Sequence, residues 1–226
     1  MAVRGTLVLL SALSIILTAH AADPDLYRGT LVLLSALSII LTAHAADPDL
    51  YSDFVAPNGT TVDAGFFTFR GLNNSLSDSP KVGAFNVTKA SQIEFPALIG
   101  QSVSYAVLQF GPFSVNTPHI HPRSAELLLV LQGTLYVGFI DTSNKLFSKL
   151  LLAGDLFVFP KGLVHYQYNH DPKYSAIAIS AFGSADAGIV SLPKTIFRSG
   201  IDRLVLAQSF KVDAGVIDQL ASANVA

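Results

Sequence analysis

The segment His119-Ile120-His121-Pro122-Arg123-Ser124-Ala125-Glu126-Leu127-Leu128-Leu129-Val130-Leu131 decides the fold. Two histidines separated by one residue leave a β-strand on the same face, with Ile120 pointing the other way. Pro122 has no N–H to give to a sheet ladder and interrupts the strand. Glu126 then opens a purely apolar run, and a carboxylate entering a buried strand is costly unless it is paired or metal-bound. His165 lies 44 residues beyond His121, within Leu163-Val164-His165-Tyr166-Gln167-Tyr168-Asn169. On a strand His165, Gln167 and Asn169 share one face and Val164, Tyr166 and Tyr168 the other. Such a polar stripe among apolar strands predicts a lined cavity rather than a dry core. His170, between Asn169 and Asp171, reads as a surface turn residue.

Three neutral imidazoles and one carboxylate form a mixed nitrogen and oxygen donor set suited to a divalent first-row metal. Four protein ligands leave two positions of an octahedral ion for water, oxygen species or a chelating substrate.

Outward from this segment the chain reads as β. Short runs rich in Val, Ile, Phe, Tyr and Leu, bounded by Gly, Pro, Asn and Asp, predict strands over 102–110, 126–131, 134–140, 145–152, 156–159, 163–169 and 174–182. Leu135, Val137 and Phe139 alternate with period two and share a face. Closely spaced short strands predict a sandwich or barrel. After residue 200 the period changes: 201–210 and 213–223 carry apolar residues at helical spacing, with Asp202 and Asp213 at the expected starts. The expectation is an all-β body with a short helical tail.

Composition narrows the chemistry. Fourteen Lys and Arg against sixteen Asp and Glu give a net charge of −2 in 226 residues. That balance offers no basic face for nucleic acid. The absence of cysteine excludes disulfides, thiolate nucleophiles, Cys-ligated zinc and iron–sulfur clusters.

The high mean hydropathy of +0.48 has a local source. Residues 4–27, RGTLVLLSALSIILTAHAADPDLY, recur unchanged as residues 28–51. Each copy has a basic start (Arg4, Arg28), an apolar stretch (5–17, 29–41) and a small-x-small site (Ala19-His20-Ala21, Ala43-His44-Ala45), the layout of a secretory signal. Neither stretch reaches the roughly 20 apolar residues of a membrane span. Residues 1–45 are therefore expected to be a tandemly duplicated signal that is removed, leaving residues 46–226 as one domain with no membrane anchor. Asn58-Gly59-Thr60, Asn73-Asn74-Ser75 and Asn86-Val87-Thr88 are N-glycosylation sequons, in keeping with export.

The stretch from His119 to Glu126, followed by Gly133, resembles the first germin box of the cupin superfamily. Gly154, Pro160-Lys161-Gly162, His165 and Asn169 resemble the second. The likeness runs from Asp47-Pro48-Asp49-Leu50 to Val212-Asp213-Ala214-Gly215-Val216, and on these residues the chain resembles a plant germin-like protein. The resemblance implies a cupin jelly-roll β-barrel, manganese held by His119, His121, Glu126 and His165, export to the apoplast, and assembly into dimers and then hexamers. Activities vary within the family, so fold and metal do not fix the reaction; the leading expectation is superoxide dismutase-type activity, with Asn116 and Gln167 as candidate hydrogen-bonding residues behind the ligands. The competing class is a non-enzymatic cell-wall or ligand-binding cupin.

Three departures stand out. The family's usual N-terminal cysteine pair is missing, its first position being Val55. Pro112-Phe113-Ser114 replaces a Pro-Gly-Gly turn, which removes easy positive-φ geometry. Of the two asparagines used by oxalate-oxidising germins, Asn116 matches one and Ala106 replaces the other, which makes oxalate oxidation the lesser reading.

Overall fold

Ten strands form among the residues that the computed structural model describes, namely residue 47, residue 50, residues 52–76 and residues 80–224. The duplicated signal expected at residues 1–45 lies outside them. The strands are β1 (Phe85–Ala90), β2 (Ser104–Phe110), β3 (Val115–Ile120), β4 (Glu126–Gln132), β5 (Thr134–Ile140), β6 (Leu146–Leu152), β7 (Leu156–Phe159), β8 (His165–Tyr168), β9 (Ala176–Phe182) and β10 (Val190–Ser191). They form two antiparallel five-stranded sheets, ordered β1-β2-β9-β4-β7 and β10-β3-β8-β5-β6. Their inner faces meet in one core, with Phe110, Leu128, Val130 and Ala178 from the first sheet against Leu135 and Val137 from the second. This is a jelly-roll body, as the resemblance implies.

The turns follow from their residues. At the β5–β6 hairpin, Asp141 Oδ1 accepts from the backbone N–H groups of Ser143 and Lys145, at 2.8 and 2.9 Å, while Asn144 takes φ +61°. Gly133 separates β4 from β5 with φ +77°, and a Cβ there would lie 2.7 Å from the Ser175 carbonyl oxygen. Only glycine meets both demands.

Three strands escape a search for apolar runs. In β1, Asn86 and Thr88 mask the alternation; β10 is two residues long. β3 reads Val-Asn-Thr-Pro-His-Ile, and its pairing with β8 shifts register between Asn116 and His119, where Pro118 cannot donate to the ladder. Phe113 keeps the turn before β3 by itself adopting φ +54°, a conformation that costs about 1 kcal/mol or more for a side chain with a Cβ.

The tail has three helices, α1 (Leu192–Arg198), α2 (Arg203–Phe210) and α3 (Ala214–Ala223). Asp202 caps α2 by accepting from the N–H groups of Leu204 and Val205. Asp213 precedes α3 without a side-chain cap. The helix α1, unforeseen in the sequence, starts with Pro in its first turn. Leu206, Ala207 and Ile217 give the tail its own small core.

The arm before β1 is anchored without a disulfide. The Phe54 and Phe67 rings meet edge to face at 5.2 Å. Gln101 Nε2 donates to the Asp53 carbonyl at 3.4 Å, and Asp47 reaches the segment after β9. The asparagines of the three sequons, Asn58, Asn73 and Asn86, are exposed.

Candidate metal centre

The two sheets converge on one cluster. In the second sheet β3 lies beside β8, so His119 is the cross-strand partner of His165 and their rings lie 4.2 Å apart. His121 follows the end of β3. Glu126 arrives from the first sheet as the opening residue of β4. One ligand atom from each of the four residues lies within 4.8 Å of every other, a grouping that could hold a metal ion.

Each imidazole has its Nδ1 occupied. His119 Nδ1–H donates to the Thr117 carbonyl at 2.8 Å, and His165 Nδ1–H to the Leu163 carbonyl at 2.8 Å. His121 Nδ1–H donates to the Gly188 carbonyl at 2.5 Å. These bonds fix the tautomer and leave Nε2 as the free lone pair, the usual arrangement of a metal-ligating histidine.

Glu126 divides its two oxygens. Oε2 lies 3.2 Å from His121 Nε2 and 3.1 Å from His165 Nε2. Oε1 accepts from the Ser180 hydroxyl at 2.5 Å and from Gln167 Nε2 at 3.2 Å. Asn116 Nδ2 in turn donates to Gln167 Oε1 at 2.7 Å. The polar stripe of β8 thus faces inward as its alternation requires, with His165, Gln167 and Asn169 all buried. Asn169 serves the fold, donating to the carbonyls of Gly111 and Tyr174 at 3.0 and 2.8 Å. His170 is exposed beyond the strand. Ser180 was missed in the sequence, although it is the one polar residue in the apolar β9 run.

Electrostatics favour a cation. Burial alone would raise the Glu126 pKa, but when Nε2 of His121 and His165 carries a proton, their hydrogen bonds and charge outweigh it and hold the carboxyl well below its usual range. Burial, followed by the neighbouring His165, lowers His119 to about 4, so that this ring is neutral at pH 7. As neutral rings, with Nδ1–H spent on carbonyls, His121 and His165 instead aim Nε2 lone pairs at a carboxylate oxygen. Two acceptors at that separation need a proton or a metal ion between them. Metal–ligand bonds of about 2.1 Å place neighbouring octahedral ligands about 3.0 Å apart, close to the two distances at Oε2. The donor set fits a first-row divalent ion.

A cavity of about 470 Å³ reaches this cluster. Its wall includes Phe85, Val87, Ala106, Leu108, Asn116 and Phe182. His121 is the most exposed of the four clustered residues, at 8 %, against 1 % to 2 % for the others. Ala106 presents a methyl group to this space.

Residues 73–218 match the family model described as cupin. Germin-like protein 9-3 of Oryza sativa subsp. japonica is 54% identical over 176 residues, spanning 75% of this chain and 82% of the relative. A solved oxalate oxidase superposes with a TM-score of 0.69 at 34% identity, over 79% of this chain and 98% of that one. An oxalate oxidase in complex with the substrate analogue glycolate gives the same TM-score at 33% identity and the same coverage of both chains. Family model, relatives and fold agree, and the chain belongs to the germin-like proteins of the cupin family.

Proposed function

We propose that this chain is a secreted manganese-binding germin-like protein with superoxide dismutase-type activity. The observation that carries the reading is the set of three imidazoles, each with Nδ1 tied to a carbonyl, converging with Glu126 at the cavity. Manganese bound there supplies one-electron redox chemistry through two adjacent oxidation states. The protein's part is to hold that ion with His119, His121, Glu126 and His165. Asn116 and Gln167 keep Glu126 Oε1 engaged and leave Oε2 for the metal. Lys89 borders the cavity and favours entry of a small anion, whereas Arg123 there is paired with Asp186.

Export follows from the duplicated signal, with cleavage after Ala45 and glycans on Asn58, Asn73 and Asn86 in the apoplast. Intact-mass analysis starting at Ala46 supports this, and a start at Ala22 refutes it. Homo-oligomers, hexameric by family resemblance, would cover the exposed Leu127, Leu156 and Val158, which β4 and β7 pair on the outer face of their sheet. A stable monomer at micromolar concentration by light scattering counts against that assembly.

The cavity favours a second reading, a non-enzymatic cell-wall or ligand-binding cupin, because its apolar walls enclose far more space than superoxide fills. Oxalate oxidation is disfavoured, since Ala106 has no group to hydrogen-bond a second carboxylate. Metal analysis of purified protein beside superoxide and oxalate assays decides among these. Dismutase activity that resists cyanide and disappears on metal removal is the expected result. A full metal complement without turnover establishes the ligand-binding class instead.

A further inference from the structure

The three imidazoles are not oriented by the same kind of partner. His119 and His165 each donate Nδ1–H to the carbonyl two residues earlier in their own chain segment, Thr117 and Leu163. The Thr117 carbonyl belongs to β3, and the Leu163 carbonyl to the turn that leads directly into β8. His121 depends on Gly188, 67 residues away in the segment between β9 and β10. The one ligand beyond the end of its strand is therefore aimed by a loop.

That loop is held by groups that do not belong to the metal cluster. Arg123 donates from Nε to the Asp186 carbonyl at 2.6 Å, and its Nη2 lies 2.8 Å from Asp186 Oδ2. Asp186 Oδ1 accepts the Gly188 N–H at 3.1 Å. The other end is fastened by the N-terminal arm. Asp47 Oδ1 accepts the Ser184 hydroxyl at 2.7 Å, while Oδ2 accepts the Ala185 N–H at 2.7 Å. Ser184 Oγ then accepts the Asp186 N–H at 3.2 Å. Ser184 and Ala185 are buried and Asp47 is half-buried, so each carboxylate bond has one partner inside the protein. Charge-assisted bonds to a carboxylate are roughly twice as strong as neutral ones.

We infer that Asp47 is a positioning residue of the metal centre: by clasping Ser184 and Ala185 it holds the 184–188 loop so that the Gly188 carbonyl keeps His121 Nε2 facing Glu126. This rests on the proposed metal site. In a chain without cysteine, one carboxylate near the proposed mature N-terminus ties the arm to a ligand. Trimming the chain past Asp47 therefore loosens metal even though every ligand is intact.

The test compares Asp47→Ala, Asp47→Asn and Ser184→Ala with the parent in the full chain. Three readouts are used: Mn(II) affinity by competition, hydrogen exchange of the Ala185 and Gly188 amides, and the His121 ring nitrogen shifts of metal-free protein. Removing a group behind a metal ligand typically weakens binding 10- to 100-fold. Asp47→Ala is expected to weaken Mn(II) by about tenfold, to speed exchange at both amides, and to blur the His121 tautomer preference. Asp47→Asn and Ser184→Ala, each keeping part of the clasp, should fall between. Unchanged affinity and His121 shifts despite faster exchange would overturn the inference, because the clasp would then not reach the ligand. Weakened binding without faster exchange would overturn it as well. If the parent binds no Mn(II), the metal reading fails, while the nitrogen shifts still decide whether Asp47 orients His121.

Discussion

His165 and His121 offer the same atom to the same cluster and are built in opposite ways. His165 sits on β8, a strand with neighbours on both sides, and its ring stacks 4.6 Å from Phe159 at 23°. His121 stands just past β3, touches Phe182 edge to face, and takes its orientation from a distant glycine carbonyl. One ligand is part of the core, the other is part of a latch. The difference teaches that one cluster can combine a ring held by its own strand with a ring held by a distant loop, the latter beside the cavity.

The sharpest way to break this comparison is to delete each ring. His165→Ala removes a fully buried aromatic from the middle of a sheet and should cost about 3 kcal/mol of metal-free stability, in the range of large-to-small core changes. His121→Ala removes a ring from a strand end and should cost about 1 kcal/mol or less. Both variants should lose metal retention and redox activity. Urea denaturation of metal-free protein beside metal analysis checks both halves; equal stability losses would erase the distinction.

Acid tests the strand-held side next. The folded pKa of His119, about 4, lies below its ordinary value of 6.5. Between those values the unfolded chain binds a proton that the folded protein refuses, so stability is full above pH 6.5 and falls as pH drops toward 4. The loss from this ring is roughly 3 kcal/mol. Glu126, also depressed, acts in the same direction and extends the loss below its ordinary 4.5. Denaturation midpoints of metal-free protein that stay flat from pH 7 to 4 would refute the buried, neutral state of His119.

The strand-held side was also the legible one. Short apolar runs bounded by turn residues located β2 and β4 to β9, and alternation placed the inward stripe of His165, Gln167 and Asn169, because a strand face is set by residues two apart. The four clustered residues were legible for a related reason: Pro122 and a carboxylate heading an apolar run leave few physical explanations. β3 was not visible as an apolar run, since its interior is Asn-Thr-Pro and it is held by partners rather than by its own pattern. Ser180 and the Gly188 carbonyl were hidden more deeply. A serine behind a carboxylate, and a backbone oxygen far away in sequence, become neighbours only when the sheets close. Asp47 was visible only as part of a family resemblance; its hydrogen bonds span 137 and 138 residues.

Asn116 gives a smaller effect that separates the functional readings. Its amide is one step removed from Glu126, through Gln167. Asn116→Ala should weaken metal binding by about tenfold and cost about 1 kcal/mol, leaving measurable superoxide turnover. If the parent oxidises oxalate and Asn116→Ala abolishes it, the argument from Ala106 fails and the oxidase reading replaces the dismutase one.

The smallest effect is expected at His170, and it guards the comparison against a trivial explanation. If any histidine of the barrel supported metal binding through general charge, His170 would contribute as His121 does. His170 is exposed on the turn after β8, beside the Tyr168 ring at a centroid distance of 6.4 Å. No hydrogen bond or ion pair links its side chain to the cluster among the described residues, and its neighbour Asn169 does the structural work of that turn. His170→Ala should change stability by less than about 0.5 kcal/mol, as surface substitutions usually do, with Mn(II) affinity within twofold of the parent. Titrating both proteins with Mn(II) under identical ionic strength measures this directly. A drop comparable to that of His121→Ala would mean that general charge, rather than the fixed Nε2 geometry, governs metal retention.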